Sequence, residues 1–422
     1  MMKDVRACFL GLIAFLTCKE DVLFGNAFSL SSRPRQQHKR SVQQYLPQNT
    51  QRQFHLYQSN DDNPADAIGG ELVTALARLD KQWELARSTN GKTKIGEWTV
   101  LDLKEEDSTT PEIVYLLEPA SGAAPSCVIF FLGGAVLGQF PHIAYSTFLK
   151  RVAERTNAAV VAIPYEVGLD HFGIAQKAVS RMKSALVECE DSRGYSSSLP
   201  KYAIGHSLGC KLHSIGVAAT GIGEELAGLG FVSFNNFGFA ETITMARSFA
   251  NEMNLGGNTG FQGGPAPFDA LFDLASMAIG AVGLEFTPSP DDLDRIVKTK
   301  FNEDVLKKIR LFKFDDDDLD SSKRFLNCFE EGEPLSISNL PGTHLSPVFL
   351  KLGVEDLDLP EEARVMADAA TGGFQNASFG NEEVLDTLVD EVSDWMLGKA
   401  PSASSSNTGP KLIAGVVDAE IE

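Results

Sequence analysis

Between Ser126 and Asn236 the chain alternates without interruption between two kinds of segment. "SCVIFFLGG", "AAVVAIPY", "PKYAIGHS" and "LAGLGFVSFNN" are short apolar runs, and "IAYSTFLKRVAERT", "HFGIAQKAVSRMKSALVECE" and "LGCKLHSIGVAATG" between them are amphipathic segments of helical length. A strand that is apolar along its whole length is buried on both faces, and a helix joining two such strands is the crossover that parallel pairing requires. The pattern predicts an α/β domain, a mostly parallel central sheet with helices on both faces.

The flanking segments extend this plan. Upstream, Leu72, Leu76, Leu79 and Trp83 lie at helical spacing within residues 65–87, and "EWTVLDL" followed by "EIVYLLEP" reads as an opening hairpin. Residues 236–286 break the alternation with helical pieces, a Gly-rich stretch and many apolar groups. That is more than a connection needs and predicts a helical lid or cap. Regular structure resumes with Ser289 as N-cap and Pro290 at the first helical position. Then follow a strand "KIRLFKF", the acidic run Asp315 to Asp318, a helix "SSKRFLNCF", a strand "PLSISNL", a loop "PGTHLSP" and a helix "NEEVLDTLVDEVSDWML".

Both ends of the chain differ from the domain. Residues 1–60 open with Lys3 and Arg6, an apolar stretch from Ala7 to Cys18 and small residues Gly25, Asn26 and Ala27 before Phe28. The stretch is too short for a stable span and suits the apolar region of a signal peptide. Residues 28–60 then carry five Lys or Arg and no acidic residue, a transit-peptide composition in an otherwise acidic chain. The whole resembles the bipartite leaders that carry proteins into the complex plastids of diatoms and related algae; secretion with a propeptide is the alternative. The expected division is a leader over 1–60, a domain over 61–398 and a flexible tail over 399–422, with no transmembrane segment in the mature protein.

Composition narrows the chemistry. With 43% hydrophobic residues among 422 there is ample material for a large core, and a net charge of −20 leaves no basic footprint for nucleic acid. Beyond the leader, Cys127, Cys189, Cys210 and Cys328 are widely spaced and predict buried free thiols rather than a disulfide framework or zinc site. No phosphate-binding or dinucleotide fingerprint occurs, and no cofactor is implied.

One motif remains. Gly205-His206-Ser207-Leu208-Gly209 fits G-x-S-x-G, an elbow that holds a serine oxygen clear of a sheet at a strand-to-helix turn, and here it falls where a strand ends and a helix begins. A serine hydroxyl needs a base to take its proton, and the base needs a carboxylate to orient it. On this elbow the order along the chain is serine, acid, histidine. Of seven histidines only His344 follows the elbow in a loop after a strand. For the acid, Asp317 is the first choice and Asp318 the second. An oxyanion hole would take one N–H from Leu208 and another from Gly134 or Ala135 in the glycine loop after the first parallel strand.

Taken together, "VIFFLGGAVLGQFPHIAYSTFL", "AIGHSLGCKLH", "VSFNNF", "FTPSPDDLDRIV", "LFKFDDDDLD" and "LPGTHLSP" resemble the family called domain of unknown function 1350, over roughly residues 70 to 397. Its members occur in cyanobacteria and plastids and are similar to α/β-hydrolases. The resemblance implies that fold and a plastid location. The residues point to a serine hydrolase of the esterase or lipase type, acting on a small-molecule acyl or lipid substrate. The alternative is a non-catalytic α/β-hydrolase-like protein that binds a ligand or partner.

Overall fold

Strand β4 (Cys127–Leu132) shows how the sheet is built. Its alternate side chains Cys127, Ile129 and Phe131 enter one apolar cluster, and Val128, Phe130 and Leu132 enter the other, as a period of two requires of a strand covered on both faces. Each large side chain so buried contributes about 1.5–3 kcal/mol relative to exposure. The computed structural model describes residues 76–77, 79–81, 84–85, 94–95, 97–103, 112–120, 122–242, 284–330, 334–353 and 376–399. All of these fall in one compact unit, Pro64–Glu422.

Nine strands make the central sheet. They are β1 (Lys94–Ile95), β2 (Trp98–Leu103), β3 (Glu112–Leu117), β4, β5 (Ala158–Ala162), β6 (Lys201–His206), β7 (Gly228–Val232), β8 (Ile309–Asp316) and β9 (Ser336–Thr343). Their order is β1-β2-β3-β5-β4-β6-β7-β8-β9. Pairing is antiparallel from β1 through β3 to β5 and parallel from β5 across to β9. After β4 the chain runs outward to β5, then crosses back over β4 to β6. The carboxyl ends of β4 and β6 therefore flank a reversal of strand order, the place where a doubly wound sheet opens a crevice. This is the α/β-hydrolase fold. A separate antiparallel pair, β10 (Leu350–Gly353) with β11 (Asn376–Phe379), was not apparent from the sequence.

Helices cover both faces. Helix α1 (Ser146–Thr156) and the helix α6 (Glu382–Met396) lay Phe148, Leu149, Val152, Leu385, Leu388, Val389 and Val392 on the face that holds Ile129 and Phe131. The opposite face takes α2 (His171–Arg193), α3 (Leu208–Thr220) and α4 (Pro290–Lys300) through Ala175, Met182, Leu212, Ile215, Leu293 and Val297. A short α5 (Ser322–Leu326) lies between β8 and β9. The caps follow the sequence: Asp170 accepts from Gly173 N–H at 2.9 Å, and Ser289 caps α4 ahead of Pro290, accepting from Asp292 N–H at 3.2 Å. No helix among the described residues is long and apolar enough to cross a membrane.

Two strands run further than their apolar residues suggest. β8 continues past Phe314 into Asp315 and Asp316 through an irregularity in register, and β9 continues through Pro341 and Gly342 to Thr343. Proline is tolerated because β9 is an edge strand, and the Asp315 carboxylate accepts from Gly342 N–H at 2.9 Å. The leader, residues 243–283 of the expected lid and the tail beyond Lys399 lie outside the described residues. The described residues on either side of that segment meet where Glu285 accepts from Phe239 N–H at 2.9 Å.

The last helix is also held by charge. Arg310 of β8 reaches Glu391 of α6 at 2.8 Å, and Ser338 of β9 donates to the same carboxylate at 2.7 Å, all three buried. Breaking a buried pair strands the surviving charge, whereas removing both partners does not. Glu391→Ala should therefore cost about 3–5 kcal/mol in denaturant unfolding, and Arg310→Met combined with Glu391→Leu should recover most of that loss.

Candidate active site

Ser207 lies between the end of β6 and the start of α3, with φ 54° and ψ −119°. A non-glycine residue seldom takes a positive φ, and such strain persists only where the surroundings impose it. Here they do. A Cβ on Gly205 would stand 2.6 Å from Cys210 N, and one on Gly209 would collide with the Leu132 carbonyl oxygen at the end of β4. Both glycines of the motif are thus contact points, letting α3 start hard against β6 and β4. Ser207 N–H donates to the Val232 carbonyl at 3.0 Å, which fixes the turn to β7 as well.

The other two residues arrive from the carboxyl ends of β8 and β9. Asp317 follows β8 beyond its irregular register, and His344 is the first residue after β9. The His344 imidazole joins all three: Nε2 is 2.9 Å from Ser207 Oγ, and Nδ1 is 3.0 and 3.1 Å from the Asp317 oxygens. Ser207 and His344 are 6% and 4% exposed, and the Asp317 side chain is fully covered. The three side chains singled out by motif, spacing and chain order are brought together.

The electrostatics set the proton positions. Burial by itself pushes the Asp317 carboxyl up, but its contacts with His344, Ser233 and the Leu319 N–H outweigh burial and hold it below the ordinary carboxylate value. An ionised carboxylate can only accept, so the proton of a neutral His344 lies on Nδ1, and the bare Nε2 faces Ser207. Asp318 is exposed at the surface, and Asp317 is the aspartate that meets His344. Asp315 is spent on Gly342, and Asp320 on the start of α5, accepting from Ser322 N–H and Oγ–H at 2.8 Å.

The oxyanion expectation needs one correction. Gly134 N–H does not point into the site: it donates to the buried Tyr145 hydroxyl at 2.8 Å. That hydroxyl is 2.8 Å from His206 Nδ1, and His206 Nε2 is 2.8 Å from the His344 carbonyl oxygen. Gly133 is held in turn, its carbonyl accepting from Tyr165 at 2.7 Å. A donor already engaged cannot receive a developing negative charge without breaking that bond. Ala135 and Leu208 remain; neither N–H has a hydrogen-bond partner among the described residues, and Leu208 is at the first turn of α3, where amides have no intrahelical partner.

Several contributors carry no sequence signal of their own. Tyr145 and His206 link the glycine loop to the backbone of His344, and burial holds His206 down to about 3, so it is neutral. Ser233, at the end of β7, touches both Asp317 and His344. In α3, Lys211 is 1% exposed with its ammonium 5.3 Å from the Phe286 ring centre, and burial pushes it down to about 8. Among the described residues no group of three or more His, Cys, Asp or Glu side chains could hold a metal ion. The four described cysteines are free and buried.

Residues 113–356, which contain Ser207, Asp317 and His344, match the family described as protein of unknown function (DUF1350). The chain belongs to that family. No curated protein matches it by sequence. Among solved structures this family member is similar to an esterase of the fungus Rhizomucor miehei, at 13% identity over 77% of this chain and 98% of the other, with a TM-score of 0.40. A soluble variant of monoglyceride lipase from Saccharomyces cerevisiae is similar at 11% identity over 74% and 98%, with a TM-score of 0.40. Est1E from Butyrivibrio proteoclasticus is similar at 13% identity over 71% and 98%, with a TM-score of 0.36. The fold assignment rests on the strand order given above.

The lowered Asp317 has a consequence for stability. A carboxyl whose folded pKa lies below its ordinary value of 3.8 stabilises the fold above that value, and the contribution is lost as pH falls through the folded pKa. Asp317→Asn should therefore melt below wild type at neutral pH, and the gap should narrow as pH falls below the ordinary carboxyl value of 3.8 when thermal unfolding is followed against pH.

Proposed function

We propose that this family member is a serine hydrolase that cleaves a carboxylic ester or a related acyl compound, lipids included. One observation carries the reading: Ser207 Oγ, on a strained elbow, is 2.9 Å from His344 Nε2, while His344 Nδ1 is held by a buried, ionised Asp317. In this reading Ser207 Oγ attacks the acyl carbon as His344 Nε2 takes its proton. The carbonyl oxygen becomes an oxyanion facing the Leu208 and Ala135 N–H groups, each donor worth about 10²–10³ in rate. The imidazolium then protonates the departing oxygen, leaving an acyl-Ser207 ester. Water, deprotonated by the same nitrogen, releases the acid and restores the serine. Asp317 stays ionised throughout and stabilises the imidazolium.

Residues 1–60 support a plastid destination, because an apolar stretch precedes a basic, acid-free segment in an otherwise acidic chain. Residues 1–60 fused to a fluorescent protein in a diatom should enter the plastid; a secreted fusion would leave the secretory alternative.

The chemistry is tested with a fluorophosphonate probe. Wild type should label, and Ser207→Ala and His344→Ala should not. On an ester substrate the two variants should fall to a similar residual rate, with the double variant little worse, because members of one catalytic unit are not additive. Absence of labelling in a folded wild type would instead favour the ligand-binding reading.

A further inference from the structure

We infer that Ser233 is a positioning residue of this site, a fourth polar group that holds Asp317 and His344 in register; the inference rests on the hydrolase reading. Ser233 follows β7 directly, is wholly buried, and takes φ 54°. Its neighbour Val232 pairs with His206 on β6, so Ser207 and Ser233 leave adjacent strands at the same level, both with positive φ. Ser233 N–H donates to the Phe312 carbonyl of β8 at 2.9 Å, as Ser207 N–H does to Val232, and the turn so held sends the hydroxyl to Asp317 and His344.

That hydroxyl contacts Asp317 Oδ2 and is 2.8 Å from His344 Nδ1. A carboxylate offers no proton, so the Ser233 O–H donates to Asp317, which leaves an oxygen lone pair facing Nδ1–H. The His344 proton is then shared among Ser233 Oγ at 2.8 Å and the two Asp317 oxygens at 3.0 and 3.1 Å. Two acceptors from different strands now require the same tautomer. The Asp317 carboxylate is also fixed from two sides, by Ser233 and by Leu319 N–H at 2.9 Å, so it cannot rotate away as charge forms on the imidazole. Ser233 touches no reacting atom and acts through Asp317 and His344.

Glycine separates hydroxyl from backbone. Ser233→Gly relieves the left-handed strain and removes the whole CH2OH group, whereas Ser233→Ala removes the hydroxyl alone and keeps the strain. With p-nitrophenyl butyrate as probe substrate, both should lose about ten-fold in kcat with KM within about two-fold, the size of one hydrogen bond realised in the transition state. Ser233→Gly should unfold no more easily than Ser233→Ala. Adding Ser233→Gly to Asp317→Asn should cost little more than Asp317→Asn alone, because the serine acts through that carboxylate. A folded Ser233→Gly with wild-type kcat overturns the inference, as does a loss that simply adds to that of Asp317→Asn.

A second readout needs no turnover, so it separates this inference from the hydrolase reading. The low-field proton resonance of His344 Nδ1–H, assigned by its loss in His344→Ala, should shift in Ser233→Gly. An unmoved resonance, or none in wild type, removes Ser233 from the network. Failure of fluorophosphonate labelling with a resonance that does shift would overturn the catalytic reading and leave the placement of Ser233 standing.

Discussion

The close approach of α3 to the end of β4 governs this molecule's carboxyl edge. Gly209 lies against the Leu132 carbonyl with no room for a side chain, and Gly205 lies against the first turn of the same helix. Because strand order reverses at β4 and β6, these contacts fall beside the crevice that the topology opens. The turn between them is so short that Ser207 has no conformation other than a strained one. Strain here is the cost of proximity, and the large two-faced core beneath the elbow supplies the stability that sustains it.

The electrostatic plan follows from burial. A covered carboxyl would ordinarily lose its charge, yet Asp317 keeps it through contacts with His344, Ser233 and Leu319. A covered imidazole without a carboxylate partner does the reverse: His206 and His213 are pushed down to about 3 and about 4 by burial and stay neutral. Three histidines stand near the elbow, and only His344 has the carboxylate contact that stabilises a positive charge. Environment divides their roles.

The parallel sheet was legible because strands covered on both faces must be apolar throughout, as β4, β5 and β7 are. Ser207 was legible through two glycines whose steric reason is local, and His344 through its order in the chain. Asp317 was legible as the first choice within an acidic run, with Asp318 second, and the end of β8 decides between aspartates that do not differ in chemistry. The rest depended on distance in space. Whether Gly134 is free to donate is decided by Tyr145, eleven residues away; Ser233 reaches its partners across 84 and 111 positions. The polar ends of β8 and β9 escaped notice because pairing there is held by backbone and Asp315, without apolar residues to mark it.

The hydrogen bonds from Gly134 through Tyr145 and His206 to His344 have a direction. An amide at one end can only give a proton and a carbonyl at the other can only receive one, so the two mobile protons between them have a single consistent arrangement: Tyr145 gives to His206 Nδ1, and His206 Nε2 gives to the His344 carbonyl. Reversing any one link would leave two donors or two acceptors face to face in a dry interior. The chain therefore works as a ratchet on geometry, tying the glycine loop and the backbone of the base to one another in one sense only. His206, at the first variable position of the motif, whose identity the elbow itself leaves open, is thereby fixed as an imidazole with a known tautomer.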